Sequence, residues 1–299
     1  MAVRGVLMRT SSTPAFSLRP TWLAIVLDFG RMYPLGGLSL VLLLLVLAMA
    51  LAAPLLATHD PLAQNTASAL RPPGGEFWLG TDTFGRDSWS RLIYGSRVTL
   101  SVGIASVLVA SVLGVVLGSL SAYVGGWFDL WFQRVVDTFL GFPALVFAMV
   151  IVLAVGASVK NVIIVIGVTL APGMIRISRA SALAVIQEPY VEAARATGAA
   201  TLRVIFRHVV PNSLTPVFVV AAGQLGTAIL AEAGLSFLGF GVPPPEPSWG
   251  GMLRDSIQLG HLQSAPWLAI FPGIALSILV FSFALLGDAL RDALDPRLT

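Results

Sequence analysis

The stretch EPYVEAARATGAATLRVIFRHVVPN, residues 188–212, is the longest polar interruption between apolar runs in the second half of the chain. Its residue order predicts two short helices joined by a bend. Pro189 suits the first position of a helix, where a missing N–H costs nothing, and Tyr190 to Thr197 contains no helix breaker. Gly198 fits the left-handed position that ends a helix. Thr201 is placed to cap a second helix, which Pro211 closes. In that second helix the spacing puts Leu202, Ile205 and Val209 on one face and Arg203 with Arg207 on another. Apolar segments of membrane length flank the element on both sides.

Composition sets the class. The 299 residues are 56% hydrophobic and 11% charged, against about 25% charged in an ordinary soluble domain. Such a chain is an integral membrane protein, and its apolar runs of membrane length lead to the expectation of an all-α membrane fold. Cysteine is absent, which excludes disulfides, thiolate metal sites and a cysteine nucleophile. The net charge is +3, and Lys160 is the only lysine among 18 basic residues. No basic run with interleaved aromatics occurs, so no nucleic-acid partner is expected. His59, His208 and His261 lie in separate segments without ligand spacing, and no metal site is expected either.

Along the chain, residues 1–35 form a polar, Arg-bearing leader. Residues 36–57 are the first apolar run, long enough to cross a hydrocarbon core of about 30 Å. The long leader argues against a cleaved signal peptide. Residues 58–98 read as an extracytoplasmic loop and 99–286 as the membrane core, with spans at 99–124, 135–155, 161–175, 213–234 and 267–286. Residues 287–299 are a tail. Gly114 and Gly118 form a G-x-x-x-G pair, which permits close helix packing. Trp127 and Trp131 are placed as interfacial anchors. Asp137 reads as a local partner of Arg134, and Pro172 with Gly173 is expected to kink the fourth span. Glu232, the one acid inside the apolar end of the fifth span, reads as a structural helix–helix hydrogen bond or a pathway group.

Orientation follows from the basic residues. With six spans and the N-terminus inside, twelve Arg fall on the inner side; Arg71, Arg86, Arg91, Arg97, Lys160 and Arg254 fall on the outer. That bias predicts both termini, and the loop over 186–211, in the cytoplasm.

Residues 188–212 resemble the EAA motif of ABC importer permeases: E-A-A, three residues, G, nine residues, I, one residue, L-P. Glu192, Ala193, Ala194, Gly198 and Pro211 occupy the matching positions, with His208 in place of the Ile and Val210 in place of the Leu. Three further stretches resemble the peptide and nickel branch of that family, in its C-type dipeptide and oligopeptide permease subunits. They are GTDTFGRDSWSRLIYGSR (80–97), LSFLGFGVPPPEPSWGGML (235–253) and LLGDALRDALDPRL (285–298). Ala171 departs from the pattern, because the family has Trp just before the following Pro.

The resemblance implies a type I ABC importer permease fold with six transmembrane helices in the cytoplasmic (inner) membrane of a prokaryote. It implies that residues 186–211 hold the coupling helix, which fits a groove on the ATPase subunit. Glu192, Ala193, Ala194 and Gly198 then form the coupling element, Pro211 belongs to its motif, and Arg195, Arg203 and Arg207 pair with acids of the ATPase. The implied partners are a second related permease subunit in a heterodimer, two cytoplasmic ABC ATPase subunits, an extracytoplasmic substrate-binding protein and the lipid bilayer. The chain is expected to be non-catalytic, with no cofactor of its own. The P-loop needs a Gly-Lys pair, and the only lysine follows Val159, so ATP and Mg belong to the partner subunits. The implied substrates are dipeptides or oligopeptides, with nickel chelates or glutathione as the alternative. An ion-coupled secondary transporter would need midplane ionisable groups and usually internal repeats; only Glu232 fits even loosely. An intramembrane enzyme lacks any H-E-x-x-H, G-x-S-x-G or paired in-membrane acids here.

Overall fold

In lipid a backbone must satisfy its own polar groups, so long apolar runs fold as helices. The computed structural model describes residues 30–258 and 262–293. Besides short turns of helix at Ala53–Leu56 and Thr66–Ser68, its helices are α1 (Pro34–Leu51), α2 (Ser88–Val124), α3 (Gly126–Leu140), α4 (Ala144–Val155), α5 (Val159–Ile186), α6 (Pro189–Ala196), α7 (Thr201–Val204), α8 (Val210–Phe237), α9 (Trp249–Gln258) and α10 (Trp267–Ala293). Among the described residues no β-strand forms. Helices α1, α2, α5, the run from α7 through α8, and α10 are each long and apolar enough to cross a membrane. Helices α3 and α4 make a sixth span if they are taken as one span bent by 93°. The leader's Arg4, Arg9 and Arg19, His261, and Arg297 of the tail lie outside the described residues.

The bundle centres on α2 and α5. Gly114 of α2 lies against Met174, and Gly118 against Ile175 and Ser178, with no room for a Cβ at either position. The G-x-x-x-G pair thus lets two backbones touch. Helices α8, α9 and α10 close a second interior against α2, built on Ile229, Trp249, Leu279 and Phe283. Large apolar side chains such as Leu44, Leu153 and Phe281 remain exposed on the outside, as a lipid-facing surface requires.

Several sequence expectations need correction. The loop expected over 58–98 ends early, because α2 begins at Ser88. Asp87 caps it, accepting the Ser90 N–H at 3.0 Å, and that cap is what moves the helix start. The third span is not one rod. It breaks between Leu140 and Ala144, where Pro143 holds the position before α4 in a non-helical conformation. The fourth span is much longer than 161–175. Helix α5 runs unbroken through Pro172 to Ile186, since packed neighbours tolerate proline within a membrane helix. Helix α10 continues past residue 286 to Ala293, so the tail begins as helix.

Asp137 pairs with Arg176 of α5 rather than with Arg134. This pair belongs to a polar stripe that sequence reasoning missed. Helix α3 buries only Val136, and the stripe holds it to the bundle. Asp129 receives two hydrogen bonds from Arg179 and one of 2.6 Å from Ser121 at the end of α2. Gln133 reaches the same serine at 3.3 Å. Asp129, Gln133 and Asp137 recur every fourth residue, which is the signal that would have found them.

Candidate functional site

The bend between α5 and α8 forms as its residues dictate. Glu188 is extended, Pro189 opens α6, and Glu192 stands in the first turn, where a carboxylate complements the helix dipole. At the far end Gly198 takes φ +78°. Its N–H donates to the Arg195 carbonyl at 2.9 Å, and the Ala199 N–H donates to the Ala194 carbonyl at 3.1 Å. This pair of bonds is the Schellman arrangement, which glycine serves without steric cost.

The second half of the bend departs from expectation. Ala200, not Thr201, is the cap residue, and it makes no side-chain cap bond. Pro211 does not close the helix. Residues Ile205–Val209 widen into a π turn, and the chain continues directly into α8. The Val210 N–H donates to the Ile205 carbonyl, five residues back. An α-helix would require a hydrogen bond from the N–H that Pro211 lacks; the wider turn accommodates the proline instead. Asn212 adds a side-chain bond to the His208 carbonyl at 2.6 Å.

The buried face also differs. Val204, Ile205 and Val209 are buried, whereas Leu202 is 63% exposed. Val191, Val204 and Val209 pack on Ala122 of α2 and Ala182 of α5, so the bend sits on the ends of two long helices. Arg195 lies over the Tyr123 ring, 4.5 Å from its centroid. Tyr190 and His208 approach each other with ring centroids 6.5 Å apart. On the free side Glu192, Ala193, Arg195, Gly198, Arg203 and Arg207 are exposed, and so are Leu202 and Phe206. Ala194 is half-buried. The free side therefore combines cations with an apolar pair, Leu202 and Phe206, whose spacing of four would have revealed it.

Glu232 lies elsewhere, fully buried in α8. Ser236 donates to its Oε1 at 2.7 Å, and the hydroxyls of Ser248 and Thr99 stand beside the same carboxyl. The Val242 N–H donates to Ser236 Oγ at 3.1 Å. The carboxyl thus braces α8 against α2 and the segment before α9.

Two of the motif stretches meet there. The indole of Trp249 donates to the Leu92 carbonyl at 2.8 Å, and Gly95 lies directly beneath that ring. The end of 80–97 and the end of 235–253 are therefore one packing unit, far from the bend.

Residues 114–299 match the family described as binding-protein-dependent transport system inner membrane components. The chain belongs to that family. The permease is 40% identical over 264 residues to the dipeptide transport system permease protein DppC of Alkalihalophilus pseudofirmus, covering 88% of this chain and 86% of that protein. It is 38% identical over 285 residues to the glutathione transport system permease protein GsiD of Pectobacterium atrosepticum, covering 94% and 93%. It is 39% identical over 270 residues to the di/tripeptide transport system permease protein DppC of Pseudomonas aeruginosa, covering 88% of each. In structure, the permease aligns with a chain of the MetNI methionine ABC transporter, solved in inward-facing conformations. The TM-score is 0.53 at 21% identity, over 68% of this chain and 95% of that one. That likeness concerns the fold, which is the type I ABC importer permease architecture.

Proposed function

We propose that this permease is the membrane subunit of an ATP-driven importer that carries dipeptides or oligopeptides across the cytoplasmic membrane. The observation that carries the coupling role is the bend over 188–212: a short helix, rigidly ended at Gly198 and set on α2 and α5, with a cationic and apolar free side. In this reading Arg203, Arg207, Leu202 and Phe206 meet an ATPase subunit, and the bend lies in the cytoplasm with both termini. Two ATPase subunits hold ATP and Mg. A second, related permease subunit completes the pathway, and an extracytoplasmic binding protein delivers the substrate. A ligand shifts such a machine only by favouring one conformation over another. A bend packed on two long helices transmits a rigid displacement, which a loose loop would absorb.

Peptides as the substrate class are supported by the relatives named for dipeptide and di/tripeptide transport. The relative named for glutathione transport supports glutathione as the second reading, and glutathione is itself a small peptide.

Co-purification from detergent with candidate ATPase subunits tests the coupling reading. The wild type should retain an ATPase subunit, and Gly198→Pro and Glu192→Arg should lose it while staying folded. Transport by this chain alone in liposomes, driven by an ion gradient, would overturn the reading. Competition between radiolabelled dipeptide and glutathione for uptake separates the two substrates.

A further inference from the structure

At the end of α2 opposite the bend, the loop before α2, the start of α2 and helix α9 enclose a pocket of about 300 Å³. Three guanidinium groups line it, those of Arg86, Arg91 and Arg254, together with the carboxylate of Asp255 and, at the mouth, the exposed Glu246. Arg86 and Arg91 are only 5% and 4% exposed. Asp82 supports both from behind: Arg86 Nε donates to it at 2.6 Å, and Arg91 Nε stands 3.5 Å away. Arg91 Nη1 donates to the Pro61 carbonyl at 3.1 Å. Arg254 is held by Asp255 through bonds of 3.2 and 3.0 Å.

The enclosed charges do not balance. Three cations share two enclosed carboxylates, and Asp255 is largely taken by Arg254. Arg86 Nη2 stands 3.8 Å from Asp255, beyond hydrogen-bond reach. An excess buried cation is costly, and guanidinium groups bind carboxylates through paired hydrogen bonds. A volume of this size lies at the small end for ligand pockets, enough for one or two amino-acid residues.

We propose that this pocket binds the terminal carboxylate of a small peptide between Arg86, Arg91 and Arg254. Glu246, exposed at the mouth, repels an incoming carboxylate, so the ligand binds against it. That the ligand is a peptide, met on the outer side of the membrane, rests on the importer reading above; the carboxylate preference rests on the pocket.

The test is thermal unfolding of the full chain in detergent, titrated with dialanine, dialanine amide or inorganic phosphate. Dialanine should raise the midpoint saturably, as a ligand of the folded state does, and the amide should not. Arg254→Gln should weaken the apparent affinity roughly tenfold, the loss of a charged hydrogen-bonding partner. Glu246→Gln should tighten it. No shift with dialanine, an equal shift with the amide, or an equal shift with phosphate would overturn the proposal. If Arg254→Gln does not fold, Glu246→Gln decides: tighter binding supports the proposal and unchanged binding overturns it. The readout needs no ATPase subunit, so it fails or succeeds independently of the co-purification.

Discussion

The guanidinium of Arg195 lies 4.5 Å from the centre of the Tyr123 ring, in the last turn of α2. The residue that the EAA resemblance assigns to the ATPase partner is thus also tied to its own bundle. An exposed contact of this kind contributes about 0.5–1 kcal/mol. Tyr123→Ala should therefore weaken ATPase capture two- to fivefold, and Tyr123→Phe, which keeps the ring, should not. Binding of the purified ATPase subunit to nanodisc-embedded permease measures this, and equal affinities for the two variants would remove the tie.

Gly198 at φ +78° predicts a graded series. A side chain with a branched Cβ is strained in that region, at a cost of roughly 1–2 kcal/mol. Gly198→Val should lower ATPase affinity about tenfold without moving the thermal midpoint by more than a few degrees, because the position is exposed. Gly198→Asn should be close to wild type, since asparagine visits this conformation.

The two ion pairs of α3 should differ in worth. Arg176 and Asp137 have side chains 58% and 43% exposed, whereas Arg179 and Asp129 are 30% and 13% exposed. Exposed pairs contribute about 0–1 kcal/mol and are screened by salt. Asp137→Asn should thus be nearly silent in thermal unfolding. Asp129→Asn should destabilise measurably, because Arg179 loses its charged partner and a single amide oxygen is left to accept from both Arg179 and Ser121. Thermal unfolding of both variants in detergent measures the difference, and equal midpoints would contradict it.

Trp249 fixes the junction of the two distant motifs. Trp249→Ala should cost about 3–5 kcal/mol, as for other buried aromatic deletions. Gly95→Leu should also destabilise, by about 1–3 kcal/mol through overpacking, because the space above Gly95 is filled by the indole. Denaturant or thermal unfolding in detergent reads both, and a neutral Gly95→Leu would contradict the packing.

How much of this was legible beforehand depends on whether the signal was local. Glycine at 198 and proline at 189 are backbone constraints, and the bend between them follows from residue type alone. The expected side for Leu202 was wrong because hydropathy cannot tell lipid, partner and core apart; Leu202 is apolar yet turned outward. The 93° break in the third span hides for a similar reason, since the chain stays apolar on both sides of Phe142 and Pro143. Pro211 misled because closing a helix is the ordinary effect of proline, and the π turn that absorbs it depends on hydrogen bonds among neighbours. The arginine pocket beside the start of α2 joins residues about 170 positions apart, a proximity that no periodicity encodes.

Helix α2 spans 37 residues, about 55 Å at 1.5 Å per residue, against a hydrocarbon core of about 30 Å. It contains no proline. Its first turn is pinned by Asp87 beside the arginine pocket, and its last carries Tyr123 under Arg195. A rod about 25 Å longer than the hydrocarbon core behaves as a lever. A tilt of about 10° about its middle displaces each end by about 5 Å, in opposite directions and by roughly the rise of one helical turn. The two faces of the membrane can then sense one another by leverage alone, with no relay of rearranged side chains between them.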